Sequence, residues 1–358
     1  MSSRLSWILT ILIIFGLVVL SSASVVVATK QHGSAWFFLW NQITRGIIPG
    51  ILLLFIFRKI PYQKLRPFAL PLLTAALGLL ILVITTRFGL HFNGATSWLD
   101  IGWISFQPAE ALKLALILYL AAWLGERGER LHRWQSGLVP FIVIMGFVCL
   151  LLLLQPDLGT LGIVLISSIG VYFVAGAPLR QALLLTLVGV LIIGLFALAS
   201  PERWSRIITL IRPTEDTRGS GWQLHQSLIA IGSGGVWGKG FGQSTEKFGL
   251  LPEPMGDSIF AVLVEELGFV GGIFTVGLFV LLSIFLLQIA ARAPDSFGSL
   301  IAVGMCFWIA TQTLVHMAAV TGIGPLTGIP LPFISYGGSS MAFMLAGMGI
   351  VLNISDHA

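Results

Sequence analysis

The chain has 358 residues, of which 56% are hydrophobic and only 10% charged, with a formal net charge of +5. Soluble domains carry about 25% charged residues, so a chain this poor in charge cannot cover a water-exposed surface. Its two cysteines lie in apolar runs and its six histidines are scattered, which excludes a disulfide framework and gives no transition-metal cluster, and the small positive charge carries no nucleic-acid signature.

A helix needs about 20 apolar residues to cross about 30 Å of hydrocarbon at 1.5 Å per residue. The first run follows Arg4 and continues past the small residues Ser21 to Ser24 through Ala28, longer than the apolar core of a cleaved signal peptide, so it reads as an uncleaved first span. In chain order the predicted spans are 7–27, 43–57, 68–86, 106–124, 137–154, 158–175, 180–198, 258–290, 298–320 and 332–353. The eighth is long enough to include a re-entrant or extramembrane opening. The predicted fold is all-α: one polytopic membrane domain over residues 1–358, with about ten transmembrane helices and a long extracytoplasmic loop, about 200–257, between helices 7 and 8.

Orientation follows from Lys and Arg in the short connections. With the N-terminus inside, Arg4, Arg58, Lys59, Lys64, Arg66, Arg127, Arg130, Arg133, Arg180 and Arg292 fall inside, against Lys30, Arg45 and Arg87 outside. Both termini are then expected on the cytoplasmic side. The long loop is rich in Gly, Trp, Ile and Leu. Loops of more than about 15 residues are functional or disordered, and this composition argues against disorder, so the chemistry is expected beside it. Gly232-Ser-Gly-Gly235 and Gly238-Lys-Gly240 lack a phosphate-loop pattern and read as tight turns.

Ionisable groups inside spans point to function. Glu110 and Lys113 share a helix face at i, i+3, either as a self-cancelling ion pair or as the charged wall of a water-filled cavity. Asp157, in Gln155-Pro-Asp-Leu-Gly-Thr160, is a helix N-cap or reaches back to Lys113. Asp257 precedes the eighth run, where an N-cap and a catalytic carboxylate are both open. Glu265 and Glu266 end the first part of that helix near Gly268 or face the same cavity. Arg203 and Arg206 present guanidinium groups suited to phosphate, although acidic residues leave the loop near neutrality.

Several stretches together resemble the SEDS family of cell-wall polymerases, FtsW, RodA and SpoVE. They are Asn93-Gly-Ala-Thr-Ser-Trp-Leu99, Phe106-Gln-Pro-Ala-Glu-Ala-Leu-Lys113, Gln155–Thr160, Gly221–Gly235, Leu251-Pro-Glu253, Ile259-Phe-Ala261, Glu265-Glu-Leu-Gly268 and Pro330-Leu-Pro-Phe-Ile-Ser-Tyr-Gly-Gly-Ser339. The resemblance runs from about residue 90 to the end. It implies an inverting glycosyltransferase that polymerises lipid II into peptidoglycan strands at the outer face of the cytoplasmic membrane, with no nucleic-acid partner. It places the catalytic aspartate at Asp257 and the family's buried Glu, Lys and second Asp at Glu110, Lys113 and Asp157. Gly256 stands where the family usually has Thr, and His316 where Asn is expected. Gly240-Phe-Gly-Gln-Ser244 with Lys247-Phe-Gly249, and the Phe333-Ile-Ser-Tyr-Gly-Gly-Ser-Ser340 ending, look more like FtsW and SpoVE than RodA, and the resemblance favours the division-type (FtsW-type) member. Arg203, Arg206 or a divalent cation is expected to steady the leaving pyrophosphate, Glu265 to line the cavity, and a class B penicillin-binding protein and divisome proteins to be the partners. The rival readings are an elongation-type polymerase, a lipid II flippase, which needs polar groups spread at midplane depth, and a scaffold, which leaves Glu110 and Lys113 unexplained.

Overall fold

The computed structural model describes residues 1–86, 89–92, 95–100, 102, 105–211 and 219–358. Among the described residues, eight helices of 18 to 34 residues are long and apolar enough to span a bilayer, and two shorter apolar helices, Ala69–Thr85 and Leu158–Val174, complete the expected set. The chain is a multi-pass, all-α membrane protein. In chain order the spans are α1 (Ser2–His32), α2 (Phe37–Lys59), α3 (Ala69–Thr85), α4 (Pro108–Gly125), α5 (Trp134–Leu154), α6 (Leu158–Val174) and α7 (Leu179–Leu198). Two helices follow within the long loop, α8 (Pro201–Ile211) and α9 (Ser220–Gly234). The spans resume with α10 (Ile259–Arg292), α11 (Ser296–Val320) and α12 (Gly338–His357).

The termini meet at one end of the bundle, where Arg292 contacts Met1 and Arg58 pairs with Asp356 at 3.1 Å. The long loop lies at the other, here called the loop end. Helices α4, α11 and α12 form the core, with Leu112, Leu116, Leu120, Ile301, Trp308, Leu345 and Ile350 almost fully buried. Lipid-side faces are apolar instead: Leu183, Leu187, Val190 and Leu191 of α7 are each about 60% exposed, which hydrocarbon accommodates and water does not. Close packing in lipid depends on small residues. Gly46 and Gly50 of α2 lie against Gly338 and Leu345 of α12, with a π-helical turn at Ile43–Ile47 between the expected start of that span and its regular part.

The structure departs from expectation in two places. A small antiparallel sheet of β1 (Gly89–Phe92), β2 (Ala95–Asp100) and β3 (Ser105–Phe106), in that order, fills the connection between α3 and α4. Within it Leu90 pairs with Trp98 and Leu99 with Phe106. The last span starts at Gly338 rather than residue 332. Residues 325–337 run as irregular backbone through the protein, because Pro325, Pro330 and Pro332 lack the N–H a helix needs. Such backbone is tolerated at membrane depth when buried in protein, and Ile329, Leu331, Phe333 and Ile334 are each at most 6% exposed.

Helix α10 is broken at Gly268 (φ 71, ψ −170), where the sequence offered a turn ending the first part of that helix. The glycine-rich stretch after α9 repairs the break. Lys239 and Gly240 donate backbone N–H groups to the Glu265 and Glu266 carbonyls at 2.9 and 3.0 Å, and Phe269 and Val270 donate to Gly235 and Val236 at 2.9 and 3.2 Å. Backbone groups in lipid must be satisfied internally, so the stretch read as tight turns also completes the broken helix.

Candidate active site

Asp257 sits on the turn of residues 253–258 that precedes α10. Ser258 is the N-cap of α10 and no side chain caps it, so the capping role considered for Asp257 is not the one it plays. The carboxylate is half-buried, and its Oδ1 has no hydrogen-bond partner among the described residues. Burial, with Glu253 on the same turn, pushes the carboxyl up from 3.8 to about 6, while Gln223 of α9 and Arg206 of α8 act the other way. The long loop therefore brings a guanidinium and an amide to this carboxylate: Gln223 Nε2 also donates to Ser258 Oγ at 3.0 Å. The side chain of Arg203 lies outside the described residues. Among the described residues no three His, Cys, Asp or Glu side chains gather as metal ligands; Glu253 and Asp257 are the carboxylates a cation would find on this turn.

Glu110 and Lys113 pair at 2.8 Å with both side chains 4% exposed. Pro108, whose missing N–H costs nothing in a first turn, starts α4 and sets both residues on its inner face. Lys113 Nζ also donates to Gln312 Oε1 at 3.2 Å and lies 4.8 Å from the Trp308 ring centre. The adjoining void, lined in part by Ser167, Ser168 and Trp308, is about 10 Å³, room for about one water. Among the described residues Trp308 and Gln312 close over the pair, and the water-filled cavity it was expected to wall is no larger than this void. Asp157 caps α6 by accepting from the Thr160 N–H at 2.9 Å, and Gln107 Nε2 approaches it at 3.5 Å. That is the local alternative, and Asp157 is not joined to Lys113.

Glu265 does not line a substrate cavity. It is fully buried and accepts from Lys239 Nζ at 2.7 Å, from the Thr245 N–H and hydroxyl at 2.9 Å each, and from the Ser244 hydroxyl. Glu266 holds Lys247 at 2.6 Å, and Lys247 donates onward to Ser22 of α1 and the Gly242 carbonyl. These two adjacent carboxylates fasten residues 239–247 to α10. The sequence shows both glutamates and both lysines, but only the fold pairs them across some 20 residues.

Gln223 and Gln312 are absent from the residues predicted for the site. The available signal was the rule that polar groups inside apolar runs are functional, applied to amides as well as to charges.

A family model described as "Cell cycle protein", covering FtsW, RodA and SpoVE, matches residues 3–358. The chain is 40% identical over 353 residues to "Stage V sporulation protein E" of Bacillus subtilis (strain 168), spanning 98% of this chain and 96% of that one. It is 37% identical over 341 residues to "Probable peptidoglycan glycosyltransferase FtsW" of Trichlorobacter lovleyi, spanning 95% and 89%. Among solved structures, one described as "Structural coordination of polymerization and crosslinking by a peptidoglycan synthase complex" superposes with a TM-score of 0.80 at 31% identity, over 99% of this chain and 97% of that one. The rod shape determining protein RodA of Thermus thermophilus does so at 0.73 and 32%, over 99% and 96%. With a match over nearly the whole chain, the same helical frame and the expected motifs gathered at its loop end, the chain belongs to the FtsW/RodA/SpoVE family.

Proposed function

We propose that the chain is an inverting peptidoglycan glycosyltransferase that polymerises lipid II at the outer face of the cytoplasmic membrane. The observation that carries the reading is Asp257, a half-buried carboxylate with a free oxygen at the loop end, faced by Arg206. A general base works best when its pKa lies near the working pH, and a carboxyl raised to about 6 meets that requirement. Asp257 takes the proton of the acceptor sugar's 4-hydroxyl. That oxygen forms the new bond to the donor's anomeric carbon, and the bond to undecaprenyl pyrophosphate breaks with its electron pair going to the pyrophosphate. Arg206, a fixed positive charge beside the site, favours the charge that develops there. The names of the relatives support the activity, and the 40% identity to the sporulation protein with 37% to an FtsW supports a division or sporulation role over an elongation one.

In this reading both termini are cytoplasmic and the long loop is outside, as the Lys and Arg distribution requires. A class B penicillin-binding protein supplies cross-linking, alongside divisome proteins. Most of α11 is core, whereas Ile273, Phe274, Val280 and Ile284 of α10 are 44–56% exposed, so α10 offers the face. Purified protein supplied with lipid II is expected to form glycan strands resolvable by gel. Folded protein that, with or without its transpeptidase, transports lipid II but makes no strands would overturn the reading in favour of a transporter.

A further inference from the structure

Residues 327–336, the irregular stretch ahead of α12, touch the site at successive positions. The Thr327 carbonyl lies against Gly159, two residues after Asp157. Gly328, in the left-handed region at φ +68, passes so close that a methyl placed on it would lie 3.9 Å from Asp257 Oδ2. The Ile329 carbonyl is 2.7 Å from His316 Nδ1. The Pro330 carbonyl accepts from Gln312 Nε2 at 2.9 Å. Ser335 Oγ donates to the Gly256 carbonyl at 2.7 Å while accepting from the Leu331 N–H at 2.8 Å, and the Tyr336 N–H donates to the Met255 carbonyl at 2.9 Å.

Gln312 is 0% exposed and Ser335 4%. The Gln312 oxygen accepts from Lys113 and from the Trp308 indole N–H at 2.9 Å, so its amide nitrogen is the group left to hold Pro330. A primary amide both accepts from a cation and donates to a carbonyl, which neither a carboxylate nor an ammonium does.

We propose that Gln312 and Ser335 are positioning residues for Asp257: Gln312 fastens residues 327–336 to the buried Glu110–Lys113 pair, and Ser335 fastens the same segment to the turn that carries the carboxylate. The ion pair thus acts on the reaction through three hydrogen bonds, Lys113 to Gln312, Gln312 to Pro330 and Ser335 to Gly256, and without touching substrate. Prolines at 330 and 332 offer no N–H, so the segment depends for anchorage on its carbonyls, on Ser335 and on the Tyr336 N–H at its end, and such bonds are strengthened in a low-dielectric interior. The inference rests on the glycosyltransferase reading, with Asp257 as base.

The test is steady-state polymerisation across pH by Gln312→Met, Gln312→Glu and Ser335→Ala, each with its Tm. Gln312→Glu keeps the acceptor for Lys113 and loses the donor to Pro330. Leu286→Ala, a core truncation in the last turns of α10 at the end of the bundle where Arg292 meets Met1, is the stability control. Misplacing a catalytic group by about 1 Å costs on the order of 100-fold, so kcat is expected to fall about 10- to 100-fold with little change in KM for lipid II. The acid limb of the kcat profile should also move toward the ordinary carboxylate range as the turn opens to water. The charged described groups facing that carboxylate are Glu253 on its own turn and Arg206 on α8, and both are unchanged in these variants. Leu286→Ala should lower Tm and leave the acid limb in place. Wild-type kcat and an unmoved acid limb in whichever of the three variants fold, while Asp257→Asn is inactive, would overturn this proposal alone. Wild-type activity in Asp257→Asn would overturn the reading beneath it.

Discussion

Asp257 and Lys113 are both ionisable groups withdrawn from water, and they are compensated differently. Asp257 keeps a free oxygen and a carboxyl raised by burial, so its folded environment favours the protonated form. Stability from that preference is present below about pH 4 and is lost as pH rises through about 6. Asp257→Asn, which carries no charge, should therefore raise Tm at pH 8, with the gain vanishing toward pH 4. The same variant should lower polymerisation by about 10²–10⁴-fold, the usual contribution of a general base. A Tm difference that does not vary with pH would contradict the burial argument. Lys113 instead is closely paired, and removing one partner of a buried pair costs roughly 3–5 kcal/mol. Lys113→Ala should unfold at markedly lower denaturant, whereas Glu110→Gln with Lys113→Met should regain most of that stability while remaining slow. Equal stability of Lys113→Ala and the parent would show that the pair bears no load.

At the scale of elements, the break in α10 is held by a neighbouring loop. A Cβ on Gly268 would meet Gly238 N and the Val236 carbonyl, and one on Gly238 the Glu266 carbonyl. Both glycines have positive φ, at 71 and 81, so the crossing excludes side chains on two counts. Gly268→Ala is expected to cost about 1–3 kcal/mol from backbone strain and more from the clash. Residues 235–248 should become the first site of limited proteolysis. A variant as protease-resistant and as stable as the parent would mean that the backbone there rearranges freely. Glu265 and Glu266 add the side-chain half of the same clasp, which explains why two acidic residues stand a few turns into a membrane helix.

For the molecule as a whole, the orientation is open to a direct test. The exposed side chains of Gln135, at the start of α5, and Gln243, in the long loop, lie at opposite ends of the bundle. Cys149 and Cys306 are buried and give little background. In intact cells an impermeant thiol reagent should label a cysteine at 243 and spare one at 135. The reverse pattern would invert the topology and move Asp257 to the cytoplasmic side, away from the strand-forming chemistry proposed for it.

The sequence by itself determined the membrane class and the positions of all ten spans, because hydrocarbon thickness fixes the length of an apolar run regardless of its neighbours. It also brought out Glu110, Lys113, Asp157 and Asp257, because a charge in an apolar context is costly wherever the chain goes. What it left open was settled by packing. Asp157 and the Glu110–Lys113 pair were each compatible with a local and a cavity role, and neighbouring side chains at 2.8 to 3.5 Å chose the local bonds. Glu265 faces Lys239 rather than a cavity, and residues 325–337 enter the core without forming a helix. These are contacts between residues tens to hundreds of positions apart. Their geometry depends on where other helices lie, and periodicity and hydropathy, which are local quantities, carry no record of it.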